Sequence, residues 1–159
     1  PVQLAAAALD TMKIFRMHYC RVDDFDMSTD SLDLQCRVIN SRQVADVRCN
    51  HIRIEVMGTE SSIVLYFTKE GCASWNKLMF GEKFIDGNHA DLTAFSRDFS
   101  SWKRVGLSVK DKTAVVQYEG DPIYEYTFGK PLGRLMGLRF SFTGYGSAKD
   151  VVVNGKTIQ

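Results

Sequence analysis

His51-Ile52-Arg53-Ile54-Glu55-Val56-Met57-Gly58-Thr59-Glu60-Ser61-Ser62-Ile63-Val64-Leu65-Tyr66-Phe67 is the stretch whose reading decides the fold. Ile52, Ile54 and Val56 alternate with His51, Arg53 and Glu55, the period of two that sends successive side chains to opposite faces of a strand. Ile63, Leu65 and Phe67 repeat the pattern after Gly58-Thr59-Glu60-Ser61, a turn of suitable composition. In an antiparallel hairpin, setting Ile52 opposite Phe67 also sets Ile54 opposite Leu65 and Val56 opposite Ile63. All six apolar side chains then share one face, which a slip of one residue would destroy.

The same alternation extends in both directions. Leu32, Leu34, Cys36 and Val38 alternate with Asp33, Gln35 and Arg37; Val105, Leu107 and Val109 follow Trp102; Leu138, Phe140 and Phe142 flank Arg139 and Ser141. Thr113 to Tyr118, the turn Glu119-Gly120-Asp121-Pro122, Ile123 to Phe128, and Lys149 to Val153 before Asn154-Gly155 complete the later part. With Lys13 to Val22 and Leu78 to Ile85, about ten strands are expected, spaced as in an all-β antiparallel sandwich. One helical turn is expected, Asp91 to Phe95, with Asp91 as its N-cap. Residues 12–159 read as a single β-sandwich domain. Residues 1–11, containing Leu4-Ala5-Ala6-Ala7-Ala8-Leu9, read as a linker or short lead-in, and a chain opening on Pro1 is expected to have lost an upstream segment.

Lys and Arg total 20 against 19 Asp and Glu in 159 residues, so a net charge of +1 gives no footprint for nucleic acid. The apolar runs fall far short of the roughly 18 residues that a membrane-spanning helix needs, so no direct membrane insertion is expected. Four cysteines, at 20, 36, 49 and 72, include no C-x-x-C pair, which argues against zinc. Continued past the open end of the hairpin, its register brings Cys49 within two places of Cys72, and both fall on the face opposite Ile54 and Leu65. A disulfide between them is expected, with two buried thiols as the alternative. Cys20 and Cys36 are a second candidate pair across the Asp-rich turn between them. An even cysteine count without metal spacing points to an oxidising, extracytoplasmic compartment. The absence of an N-x-S/T sequon leans towards a bacterial envelope protein.

The C-terminal third carries a resemblance. Trp102-Lys103-Arg104-Val105-Gly106-Leu107-Ser108-Val109, then Val115, Val116, Tyr118, Glu119-Gly120 and Ile123, then Gly133, Leu138, Phe142-Thr143-Gly144-Tyr145-Gly146 and Asp150-Val151-Val152-Val153, resemble the concanavalin A-like, laminin G-like jelly rolls over roughly residues 91–153. That resemblance implies a jelly-roll sandwich, a structural calcium ion in some members, and either lectin-like binding or glycoside hydrolysis. Hydrolases of this kind carry E-x-D-x-x-E on one strand, and this chain has no such motif. Glu55 and Glu60 are the nearest carboxylate pair, but Glu60 falls in a turn. G-x-S-x-G and H-E-x-x-H are absent, Gly144-x-Gly146 meets Lys149 where a third glycine belongs, and His18, His51 and His89 stand apart. Asp24, Asp26, Ser28 and Asp30 have the spacing with which an EF-hand begins, yet Thr29 and Gln35 replace its glycine and bidentate glutamate. Asp24, Asp26 and Asp30 are therefore candidates only for a looser calcium site.

A sugar site in such a fold needs an exposed ring and polar partners. Trp75 and Asn76 in Gly71–Lys77, Asn88 in the following loop, and Tyr145 between two glycines are the candidates; packing at the sandwich edge is the alternative for Trp75, and core or rim for Trp102. The sequence thus predicts a non-catalytic extracytoplasmic module of a larger cell-envelope or secreted protein, its partner a glycan. A structural or protein-interaction ectodomain that meets another envelope protein, and a divergent glycoside hydrolase, are the alternatives.

Overall fold

The alternation of the sequence becomes pairing in the computed structural model, which describes residues 15–21, 27–41 and 48–158. Numbered along the chain, the strands are β1 (Phe15–Arg21), β2 (Ser31–Asn40), β3 (His51–Gly58), β4 (Ser62–Thr68), β5 (Lys77–Phe80), β6 (Lys83–Asp86), β7 (Lys103–Lys110), β8 (Thr113–Tyr118), β9 (Asp121–Thr127), β10 (Leu135–Thr143), β11 (Gly146–Val153) and β12 (Lys156–Thr157). The first sheet runs β1-β10-β3-β4-β5-β6 and the second β12-β11-β2-β7-β8-β9, every pairing antiparallel. The β3–β4 hairpin has the expected register, Ile52 with Phe67, Ile54 with Leu65 and Val56 with Ile63.

The inward stripes of the two sheets close one core. Ile54, Leu65, Phe80 and Phe140 of the first sheet face it with Leu34, Val38, Leu107 and Val116 of the second, all buried. Each such side chain contributes about 1.5–3 kcal/mol by leaving water, against a few tenths for an exposed ion pair. Burial of one face therefore sets the register. Most of the aromatic excess is spent here: Phe67 packs on Phe95 and Phe99 with ring centroids 5.2 and 5.6 Å away, and Phe80 stacks on Tyr126 at 5.0 Å.

Two expectations are corrected. The single strand Leu78–Ile85 is a hairpin, β5 and β6, because Gly81 takes a left-handed φ of 62° and turns the chain within an apolar run. The helical turn shrinks to a 3₁₀ turn, Thr93–Phe95, whose N-cap is Leu92 and not Asp91; the Asp91 carboxylate, one residue earlier, accepts the Thr93 N–H at 3.0 Å. A second 3₁₀ turn, Ala73–Trp75, was not expected.

The ends of β2, β4 and β10 and the start of β3 gather at one end of the sandwich. There the Asn40 side-chain amide donates to Thr143 O and His51 O, and Arg97 N–H donates to Thr68 O. Among the described residues no helix is long and apolar enough to cross a membrane.

Candidate functional site

Trp75 stands at this end, on the 3₁₀ turn between β4 and β5, and 65% of it is exposed. Leaving an indole in water forfeits burial that a core position would supply, and here the chain fastens the turn that carries it. The Cys49–Cys72 disulfide ties the turn to the start of β3, with the Cα atoms 5.9 Å apart, as the hairpin register indicated. Asn76 holds the turn from below. It is fully buried; its amide donates to Leu92 O at 3.2 Å and Ser96 Oγ at 3.1 Å, and Thr68 Oγ1 donates to its Oδ1 at 2.9 Å. Asn76 is therefore corrected from a sugar ligand to a structural hub, because every polar atom of its side chain is turned inward and used.

The loop bearing Asn88 docks on the same turn. Gly87 N–H donates to Asn76 O at 2.9 Å, and a Cβ at Gly87 would lie 2.2 Å from Ala73 O, so only glycine lets the two segments approach this closely. Asn88 itself is exposed, its backbone and side-chain N–H groups both donating to Asp86 Oδ1 at 2.8 and 2.9 Å. Those bonds hold the Asp86 carboxyl below the usual range. Tyr145, 38% exposed, follows β10 at this end, but β3 and β4 intervene between it and Trp75. At the usual strand spacing that is about 10 Å or more. The fold brings Trp75 and the Asn88 loop together and leaves Tyr145 apart. Trp102 is at the rim, with Lys149 Nζ 4.2 Å from its ring centroid.

A second cluster lies on the outer face of the first sheet. Glu55 on β3 is 8% exposed, and its Oε2 accepts from Nε and Nη2 of Arg139 on β10, the Nε bond being 2.8 Å long. Arg53 Nη2 approaches the same oxygen at 3.3 Å. The Arg53 guanidinium stands 5.8 Å from the centroid of Tyr66, whose ring lies 4.9 Å from that of His51. Burial, with Arg53 and Lys77 nearby, holds the His51 pKa below its ordinary value. Thr143 Oγ1 lies 2.8 Å from its Nδ1, a hydrogen bond whose donor is set by the tautomer of the ring. Sequence reading missed this cluster because Arg53 and Arg139 are 86 positions apart. The strand parity that places Arg53 and Glu55 outside was the available signal.

Glu55 and Glu60 do not form a pair. Glu55 is engaged by two guanidiniums, while Glu60 is exposed in the β3–β4 turn. Of the calcium candidates, Asp24 and Asp26 lie outside the described residues, and Asp30 is exposed with its N–H donating to Ser28 Oγ. Among the described residues no three His, Cys, Asp or Glu side chains converge. The Cys20–Cys36 pairing rests on a side chain outside the described residues. Their strands, β1 and β2, lie in different sheets, and Cys36 is buried with Sγ 3.6 Å from Val105 O.

No family model and no curated protein matches the chain. Solved structures do, and the fold they share is the concanavalin A-like jelly roll that the C-terminal third resembles. Domains LG4–5 of the mouse laminin α1 chain superpose with a TM-score of 0.60 at 13% identity, over 97% of this chain and 46% of that one. The galectin LEC-6 of Caenorhabditis elegans matches at 0.56 and 8% identity, covering 86% of this chain and 89% of that one. Congerin II, solved with lactose, matches at 0.55 and 13%, covering 87% and 99%. A sialidase matches at 0.51 and 10% identity, over 85% of this chain but 11% of its own. At these identities the likeness is one of fold.

Proposed function

We propose that the chain is an extracytoplasmic, non-catalytic glycan-binding module that stacks a sugar ring on Trp75, with the Asp86–Asn88 loop as polar neighbour. One observation carries this reading: a tryptophan 65% exposed on a turn held by a disulfide and a buried asparagine. A rigid, solvent-facing indole binds with little ordering cost, the condition for useful affinity from one stacking contact. The likeness to lactose-bound congerin II supports a sugar as the ligand class. The disulfide supports an oxidising compartment. The engaged Glu55 supplies neither acid nor nucleophile.

A polysaccharide and glycan panel, run in calcium and in chelator, tests the reading. Trp75→Ala is expected to weaken the bound glycan at least tenfold, about 1.4 kcal/mol, with an unchanged melting temperature. Binding to nothing on the panel, or a silent Trp75→Ala, overturns it. Equal binding in chelator removes calcium from the account.

A further inference from the structure

Stacking on Trp75 accounts for a sugar ring but leaves the outer face of the first sheet unexplained. Two arginines there share a single carboxylate oxygen. Arg139 Nε and Nη2 and Arg53 Nη2 all converge on Glu55 Oε2, so two guanidiniums share one carboxylate among the described residues. Lys77 sits opposite Asp86 in the β5–β6 register, and its charge helps the Asn88 bonds hold the Asp86 carboxyl below the usual range. Of the ten N–H donors that two guanidiniums hold, Glu55 accepts two hydrogen bonds, both from Arg139, while Arg53 Nη2 meets it as an ion pair. Arg53 Nε is buried and, among the described residues, has no hydrogen-bond partner. That atom lies below the surface, so a ligand on the outer face would meet the Nη groups of the two arginines.

We propose that Arg53 and Arg139 bind the anionic group of an acidic glycan, a uronate carboxylate or a sulfate ester, on the outer face of the β10–β3–β4 sheet. The proposal rests on the glycan reading above and names its ligand class. Guanidinium forks match planar and tetrahedral oxyanions bidentately, which a lysine ammonium does not. Both forks are positioned in advance: Arg139 by two bonds to Glu55, Arg53 by Glu55 and the Tyr66 ring. Each guanidinium side chain keeps 32% exposure, enough to meet a ligand and too little for full hydration. The depressed pKa of His51 fits the same positive surroundings. Tyr66, the partner of Arg53 in the register, lies two residues before Thr68, from which the Trp75 turn is held. An acidic polymer crossing the sheet face therefore runs towards the exposed indole.

The test is calorimetric titration of the intact chain with polygalacturonate, heparin and, as neutral controls, galactan and dextran, at low and at high NaCl. Polygalacturonate or heparin is expected to bind at least tenfold more tightly than either neutral polymer and to weaken as salt screens the contact. Binding of polygalacturonate shows that a carboxylate suffices; binding of heparin alone, which carries uronate carboxylates as well as sulfates, shows that sulfate is required. Arg53→Gln is expected to reduce that affinity at least tenfold, and Arg53→Lys to restore only part of it, since charge returns without the fork. Glu55 keeps Arg139 in both variants, so folding is retained, and circular dichroism checks this. Acidic binding untouched by Arg53→Gln overturns the proposal. Equal binding of neutral polymers that Trp75→Ala abolishes and Arg53→Gln spares also overturns it, while the glycan reading stands. Binding of none of the four polymers overturns the anion proposal, and the glycan reading falls only if the wider panel is silent as well.

Discussion

The outer faces of the two sheets are built from similar residues and differ in what they do with charge. On the second sheet, Arg37 and Asp150 approach to 3.8 Å with 57% and 61% of their side chains in water. Gln35 and Gln117 meet over Gly106, and Thr113 bonds Thr127 at 2.9 Å. Trp102 at its margin is covered by Lys149. On the first sheet, Glu55 keeps 10% side-chain exposure between two arginines, Tyr66 is flanked by His51 and Arg53, and Trp75 at its end is uncovered. One face satisfies itself with weak solvated contacts. The other gathers half-buried charge beside aromatic rings, the arrangement on which the proposed anion site rests.

The largest expected effect comes from removing the two acidic residues in turn. Glu55→Ala leaves two guanidiniums facing each other without their counter-ion and is expected to cost about 2–3 kcal/mol, the low side of a broken buried pair because both arginines keep some water. Asp150→Ala is expected to cost less than about 0.5 kcal/mol. Urea unfolding of both variants measures the difference, and equal midpoints would erase the distinction between the faces.

Asn76→Ala comes next. It removes the bonds to Leu92 O, Ser96 Oγ and Thr68 Oγ1, each of which keeps another partner, at about 0.5–1.5 kcal/mol per bond, and loosens the turn beneath Trp75. Thermal melts and near-ultraviolet circular dichroism should change together. A lowered melting temperature with an unaltered Trp spectrum would separate the hub from the ring it is said to hold.

The smallest effect is titration of His51. Its folded pKa is depressed by burial, Arg53 and Lys77, so the unfolded chain binds the proton more readily. Stability is full above the unfolded value of about 6.5 and falls as pH drops from there through the folded value. His51→Gln is expected to remove that part of the slope, and Arg53→Gln to move the His51 midpoint upward in an NMR titration. A midpoint indifferent to Arg53 would place His51 outside the positive field of the first face.

Much of the architecture was legible because each strand buries one face. The β3–β4 register followed from six apolar residues, and the Cys49–Cys72 bridge from extending it by a few places. The β5–β6 hairpin is marked by Gly81-Glu82-Lys83 between Leu78-Met79-Phe80 and Phe84-Ile85, a short turn signal that reading the segment as a single strand overrides. Trp75 was identifiable as a lone ring in a polar loop. Asn76 beside it was not separable from it, since an amide is a ligand or a hub according to which of Leu92, Ser96 and Thr68 the fold brings to it. The Arg53–Glu55–Arg139 group depends on β10 inserting beside β3, a pairing between distant strands that alternation alone does not specify.

The Cys49–Cys72 bridge spans a sequence separation of 23 and encloses the whole of β3 and β4. Under tension along the chain, load passes through the sulfur link and bypasses that hairpin. At about 3.5 Å per residue the loop withholds roughly 80 Å of contour from any pull. A module displayed on a surface and tugged through its termini would thus keep the segment beneath Trp75 out of the line of force, and release that length only on reduction.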